Sequence, residues 1–217
     1  MKQEFVSARF IYYEGVHASG VHFSDRRVQL YDTLDYPAYS LGAEKMRMAF
    51  RISYSLLDKI SFFLNDYFCL GHEARRVSFR SVWYETKGRA GSLVQRLTSS
   101  QNWPLRGLFW LSKDLFEPEF QSVTEPDAAA LNDVRNHLEH RYLQLHGEDL
   151  QAITDAPQLA YSLTTRDFEE RTLRLLKLVR AALIYLSLAV HCEERRRQEA
   201  IGSGKSVLPI TLRLLNR

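Results

Sequence analysis

The chain has 217 residues, 45% of them hydrophobic and 25% charged, with a formal net charge of +3. This is ordinary globular usage and enough length for a substantial core, which excludes a mainly disordered or collagen-like chain. The mild positive balance is compatible with a polyanionic partner without requiring one. Ten glycines and six prolines leave few breaks, so long stretches read as uninterrupted helix and an all-β sandwich is disfavoured. The expectation is a single domain over residues 1–217, all-α, a helical bundle of about five helices with two long core helices and a bundle core at about 40–200.

Residues 3 to 15 carry Phe5, Val6, Phe10, Ile11, Tyr12 and Tyr13 between charges and predict a first helix, with a break from Gly15 to Gly20. Lys2, Glu4 and Arg9 interrupt this stretch, so it does not read as a signal peptide. From Leu41 to Leu70 the apolar positions Met46, Ala49, Phe50, Leu57, Ile60, Leu64 and Tyr67 recur at three- and four-residue steps, the pattern of a long core helix that Gly71 ends. Asp58 stands in this apolar setting and is read as paired with a basic neighbour or turned outward, with no catalytic role. The polar segment to about Gln101 reads as loop with a short helix.

Pro104 suits the first turn of a helix through Leu105, Leu108, Phe109, Trp110, Leu111 and Leu115, stopped by Pro118. Trp83, Tyr84, Trp103, Phe109 and Trp110 are expected in the core or an interface rather than as base-stacking platforms. The next helix begins near Pro126, capped by Thr124 or Asp127. Leu131, Val134, Leu138, Tyr142 and Leu145 mark its apolar face through to Gly147. Thr164 and Thr165 then open a very long helix to about Gln198, with Leu173, Leu176, Val179, Leu183, Leu186 and Val190 facing the earlier long helix. Its most apolar run, Ala181 to Val190, is far shorter than the ~20 residues that span a bilayer, so no membrane association is expected. Gly202 to Gly204 ends it before an apolar tail, Val207 to Leu215, of either helical or extended form. Cys69 and Cys192 lie far apart and form no CxxC pair, which points to a reducing compartment, the cytoplasm.

Chemistry concentrates on the fourth of these helices. At about 100° per residue, its five apolar positions fall within an arc of roughly 80°, while Asn136 and His140 lie about 40° apart and roughly 160° from the middle of that arc. They face water or a partner. Arg135 sits at the edge of the apolar stripe, about 140° round from His140, so the two do not meet along one straight helix and a second copy of the chain is one way to unite them.

Arg135-Asn136-His137-Leu138-Glu139-His140 resembles the Arg-polar-xxx-His motif of the HEPN superfamily. The stretch from Ala49 to Phe68 resembles the long second helix of a HEPN bundle, and the motif helix and long last helix follow in family order, a resemblance covering about residues 40 to 200. It implies a small, usually homodimeric helical bundle whose paired motifs line a cleft that cuts RNA without a metal or other cofactor. It also implies a setting in bacterial toxin or defence systems, restrained by an inhibitory or regulatory protein partner. On this reading Arg135 and His140 are catalytic, and Asn136 and His137 bind phosphate or orient the others. A histidine titrates near neutrality and can move a ribose 2′-OH or 5′-oxygen proton, while an arginine stays charged and grips phosphate bidentately. Two alternatives stand beside this one: a non-catalytic HEPN-like module that binds RNA or nucleotide, and a helical protein-interaction domain whose polar helix face is incidental.

Three further patterns bear on function. His137, His140 and His146 with Glu139 lack the i, i+4 ligand spacing on one face, so no metal site is expected. Gly202-Ser203-Gly204-Lys205-Ser206 resembles the end of a P-loop, but Glu199 stands at the first glycine position and a basic helix precedes it, so it reads as a flexible loop. Arg171, Arg174, Lys177 and Arg180 give the last helix a basic edge, either a solvated face or, on the ribonuclease reading, a guide for the RNA backbone in which Arg171, Arg174 and Lys177 take part.

Overall fold

A computed structural model describes residues 1–28, 37–85, 92–98, 100–116, 128–147 and 160–201. In chain order its elements are α1 (Lys2–Val16), α2 (Leu41–Tyr67), the single turn α3 (Gln95–Thr98), α4 (Trp103–Phe116), α5 (Ala128–His140), β1 (Tyr142–His146), β2 (Ala160–Thr164) and α6 (Thr165–Ile201). The all-helical expectation holds in its main lines, with α2 and α6 as the two long helices at 27 and 37 residues. The expected stops and caps at Pro118, Thr124, Pro126 and Asp127, the Gly202–Ser206 loop and the Val207–Leu215 tail lie outside the described residues.

The spine is α2 against α6. Phe50, Leu57, Ile60 and Leu64 on α2 are fully buried, as are Phe168, Leu175 and Val179 on α6. The Phe50 and Phe168 rings stack at 5.8 Å between centroids. Burying each such side chain contributes roughly 1.5–3 kcal/mol, so this seam carries much of the stability. Ser40 opens α2 by accepting a hydrogen bond from the Ala43 amide at 3.1 Å, an N-cap that satisfies one of the free first-turn donors. The far end closes two residues before the expected glycine. Cys69, at φ 49°, takes the left-handed position, and the Leu70 and Cys69 amides return to the Asn65 and Asp66 carbonyls at 2.9 and 3.0 Å, a Schellman closure.

The remaining helices dress this seam. α1 lies along α2 and reaches α6. Gly15 and Gly42 permit the approach, because a Cβ on Gly15 would stand 2.9 Å from the Gly42 carbonyl oxygen. α4 packs on α6, and α5 packs against α2 and α4. Asn102 locks α4 in place: its side-chain oxygen accepts from the Leu105 amide at 3.1 Å and its amide donates to the buried Ala189 carbonyl at 2.7 Å. Trp83 is buried as expected, whereas Trp103 and Trp110 stand 73% and 51% exposed, outside the core.

One stretch departs from the helical reading. The helix expected to run to Gly147 stops at His140, and Tyr142–His146 forms β1, paired in parallel with β2 from Tyr142 opposite Ala160 to His146 opposite Thr164. Pro37 and Ala38 close the other edge of β1, with the Ala38 amide donating to the Leu145 carbonyl at 2.7 Å. Leu145 is buried, but Tyr142, placed by the helical wheel on the apolar face, is 70% exposed. The sequence Tyr-Leu-Gln-Leu-His fits both a helical stripe and a strand alternation, and pairing with a distant segment decides between them. Thr164 then caps α6 as expected, accepting from the Asp167 amide at 3.0 Å. Among the described residues no helix is long and apolar enough to cross a membrane.

Asn102→Ala removes a helix cap and leaves the Ala189 carbonyl without its buried donor. The expected loss is about 1–3 kcal/mol, read in thermal unfolding followed by circular dichroism. An unchanged midpoint would show that this tie contributes nothing.

Candidate functional site

Leu131, Val134 and Leu138 bury one face of α5. The opposite face stays at the surface, with Asn136 and His137 half-buried and His140 exposed at the last helical residue. Among the described residues the His140 side chain makes no hydrogen bond or ion pair, and it is exposed. The helix end beneath it is gripped from α2. Arg51 Nη2 donates to the Leu138 carbonyl at 2.6 Å and Arg51 Nε lies 3.3 Å from Glu139, while Arg47 Nη2 donates to the Leu143 carbonyl of β1 at 3.1 Å. Cationic side chains at the negative end of a helix dipole stabilise the last turn.

Arg135 turns the other way, into a half-buried socket made mainly by α2. Its guanidinium lies 5.6 Å from the centre of the Tyr54 ring, and its Nη1 donates to Asn136 Oδ1 at 3.2 Å. The buried Tyr54 hydroxyl donates to Asn132 Oδ1 at 3.2 Å, and burial, with Asp58 nearby, pushes this phenol up to about 12 against the pull of Arg135. Burial likewise raises the Asp58 carboxyl, opposed by the Arg135 charge and by a hydrogen bond from the Phe79 backbone. The motif arginine thus lies within electrostatic reach of Asp58.

His137 belongs to a third grouping. Its Nδ1 lies 2.7 Å from the Asp133 carbonyl, and since a carbonyl only accepts, Nδ1 carries the proton and Nε2 is left outward. Its ring lies flat on Tyr161 of β2, 4.7 Å between centroids at 22°, and the Tyr161 hydroxyl accepts from Arg171 Nη1 of α6 at 3.0 Å. Arg174 and Lys177 lie elsewhere, in a groove with Asp114 and Glu170 between α4 and α6. The basic edge read from the sequence therefore divides: Arg171 bonds Tyr161, which stacks on the motif helix's His137, while Arg174 and Lys177 line the groove.

Within one chain, no contact among the described residues joins Arg135 to His140, in keeping with their wheel separation of about 140°. His137, His140 and His146 stay apart from one another in role, and among the described residues no group of three His, Cys, Asp or Glu side chains is gathered to hold a metal ion. Sequence reasoning missed Arg47, Arg51, Tyr54 and Tyr161. The first three had a signal: with Asp58 they recur at steps of four, three and four residues, which puts all four on one face of the helix. Tyr161 had none, because only the parallel pairing of β2 brings it to the motif.

Two outcomes follow from this geometry. Arg51→Ala should free the last turn of α5, seen as faster hydrogen exchange at the Arg141 amide, which bonds to the His137 carbonyl at 3.2 Å, with α2 and α6 amides unchanged. Asp58→Asn should raise the unfolding midpoint at neutral pH. A carboxyl whose folded pKa lies above its unfolded value costs stability once both states are ionised. The gain should therefore vanish as pH falls below the carboxylate range, and a gain that persists there would exclude this cause. Among known proteins, no curated protein and no solved structure matches the chain. The family described as LA2681-like HEPN matches residues 1–193, from α1 across the motif helix and through most of α6, and the chain belongs to that family.

Proposed function

We propose that the protein is a metal-independent endoribonuclease that works as a homodimer. The observation that carries this reading is the motif helix itself: it ends on an exposed His140, with Asn136 on the same face, while the Arg135 guanidinium is held over the Tyr54 ring. Family membership supports an RNA-related role, and the separation of Arg135 from His140 supports a site completed by a second subunit.

In this mechanism the ribose 2′-oxygen attacks the adjacent phosphorus and the P–O5′ bond breaks, leaving a 2′,3′-cyclic phosphate and a 5′-hydroxyl. His140 of one subunit takes the 2′-OH proton, and His140 of the partner subunit delivers one to the departing 5′-oxygen. Arg135 stabilises charge on the nonbridging oxygens, and Asn136 orients the phosphate. DNA lacks the attacking hydroxyl and is spared. The protein acts in the cytoplasm as a toxin or defence effector held in check by a protein partner.

Purified protein incubated with mixed RNA should cleave it equally with and without EDTA and leave cyclic phosphate ends. His140→Ala or Arg135→Ala should each reduce the rate by about 10²-fold or more while keeping the helical circular dichroism. Equal cleavage by the wild type and both variants removes the assignment, and binding without cleavage by the wild type replaces it with an RNA-binding module.

A further inference from the structure

The contact between β2 and the motif helix has a use that the motif alone does not supply. Tyr161 presents one ring face to His137, so that face is closed to a nucleobase, and what it offers a ligand is its hydroxyl. That oxygen already accepts from Arg171 Nη1, and among the described residues the phenolic O–H has no acceptor of its own, so it can donate to a ligand. Among the described residues Arg171 in turn keeps its remaining N–H groups unengaged, and both side chains are half-exposed. A phenol and a guanidinium joined by one hydrogen bond present donors side by side, an arrangement suited to two oxygens of a single phosphate. The Arg174 and Lys177 groove is a poorer choice, because Asp114 and Glu170 line it and repel a polyanion.

We propose that Tyr161 and Arg171 form a phosphate subsite for the RNA strand beside the motif helix, one that carries the backbone past His137 toward β2 rather than along Arg174 and Lys177. This rests on the ribonuclease reading for the identity of the ligand as RNA but not for cleavage. His137, fixed by the Asp133 carbonyl and the Tyr161 ring, sets the spacing between this subsite and His140.

The test is binding of a 5′-fluorescein single-stranded RNA of about twelve nucleotides to the full chain carrying His140→Ala, followed by anisotropy across a salt series. In that background Tyr161→Phe and Arg171→Gln should each weaken Kd about five- to tenfold. Arg171→Gln should also lower the salt slope by about 0.7, the value for one phosphate contact on a single strand. Tyr161→Phe keeps the ring on His137, so a purely structural role for Tyr161 predicts no change. Arg174→Gln with Lys177→Gln should leave Kd within twofold. Unchanged Kd in both Tyr161→Phe and Arg171→Gln, or an equal loss from the Arg174 and Lys177 pair, overturns the subsite. Absence of any RNA binding overturns it together with the function proposed above. A wild type that binds RNA without cutting it overturns only the catalytic reading, and the subsite is then judged on the Kd values.

Discussion

The site depends on the way α2 holds a helix of only thirteen residues. A helix that short is marginal by itself in water, so the position of everything on α5 is set by what it packs against. Its aliphatic side supplies the adhesion, through Leu131, Val134 and Leu138. Polar residues of one stripe on α2 supply the orientation: Arg51 takes the Leu138 carbonyl, Tyr54 takes Asn132, and Arg47 reaches the Leu143 carbonyl of β1. Apolar contact alone tolerates rotation and sliding, whereas these directed bonds admit one register. The polar stripe therefore decides which way the guanidinium and the imidazole of the motif point.

The small sheet contributes in the same sense. Without β1 the helix stripe would continue, and His140 would lie mid-helix with a following turn covering it. Because the chain leaves α5 at His140 to pair with β2, the imidazole stands on a helix end, clear of further turns. The same pairing delivers Tyr161 to His137 and places α6, starting at Thr165 with its hydroxyl on the His146 carbonyl at 3.0 Å, so that Arg171 reaches back to Tyr161. Two strands of five residues thus link the motif helix, through side chains, to one of the two spine helices.

The legibility of these features in the sequence follows their range along the chain. The long helices, their apolar stripes, the Ser- and Thr-rich starts and the motif are local patterns, and the α2 and α6 periodicities lead directly to the buried seam. Sequence reasoning also places Asn136 and His140 on the outer face of α5 and Arg135 away from His140. What it misses is non-local. The strand at Tyr142–His146 depends on a partner eighteen residues downstream in register, and five residues that satisfy both periods contain nothing that chooses between them. Asp58 stands out in the sequence as an anomaly but its partner does not, since a single wheel shows which residues share a face and not what lies opposite. Cys69 in the left-handed position, where Gly71 is expected, marks the limit of reading helix ends by glycine alone.

The division of the motif over two faces has a physical logic that a single-face arrangement lacks. A guanidinium and a protonated imidazole on one short helix face would repel each other and share one patch of solvent, with no group near enough to keep the arginine oriented. Turned into the α2 socket, Arg135 gains a ring face, a side-chain oxygen and a nearby carboxylate, which fix a long flexible chain before any substrate arrives. His140, in contrast, stays exposed at the last helical residue. On the proposed reading, neither half reaches a phosphodiester productively from one chain, so chemistry waits on assembly. The α2 stripe that stabilises the motif helix is then also what keeps a single copy of the chain incomplete.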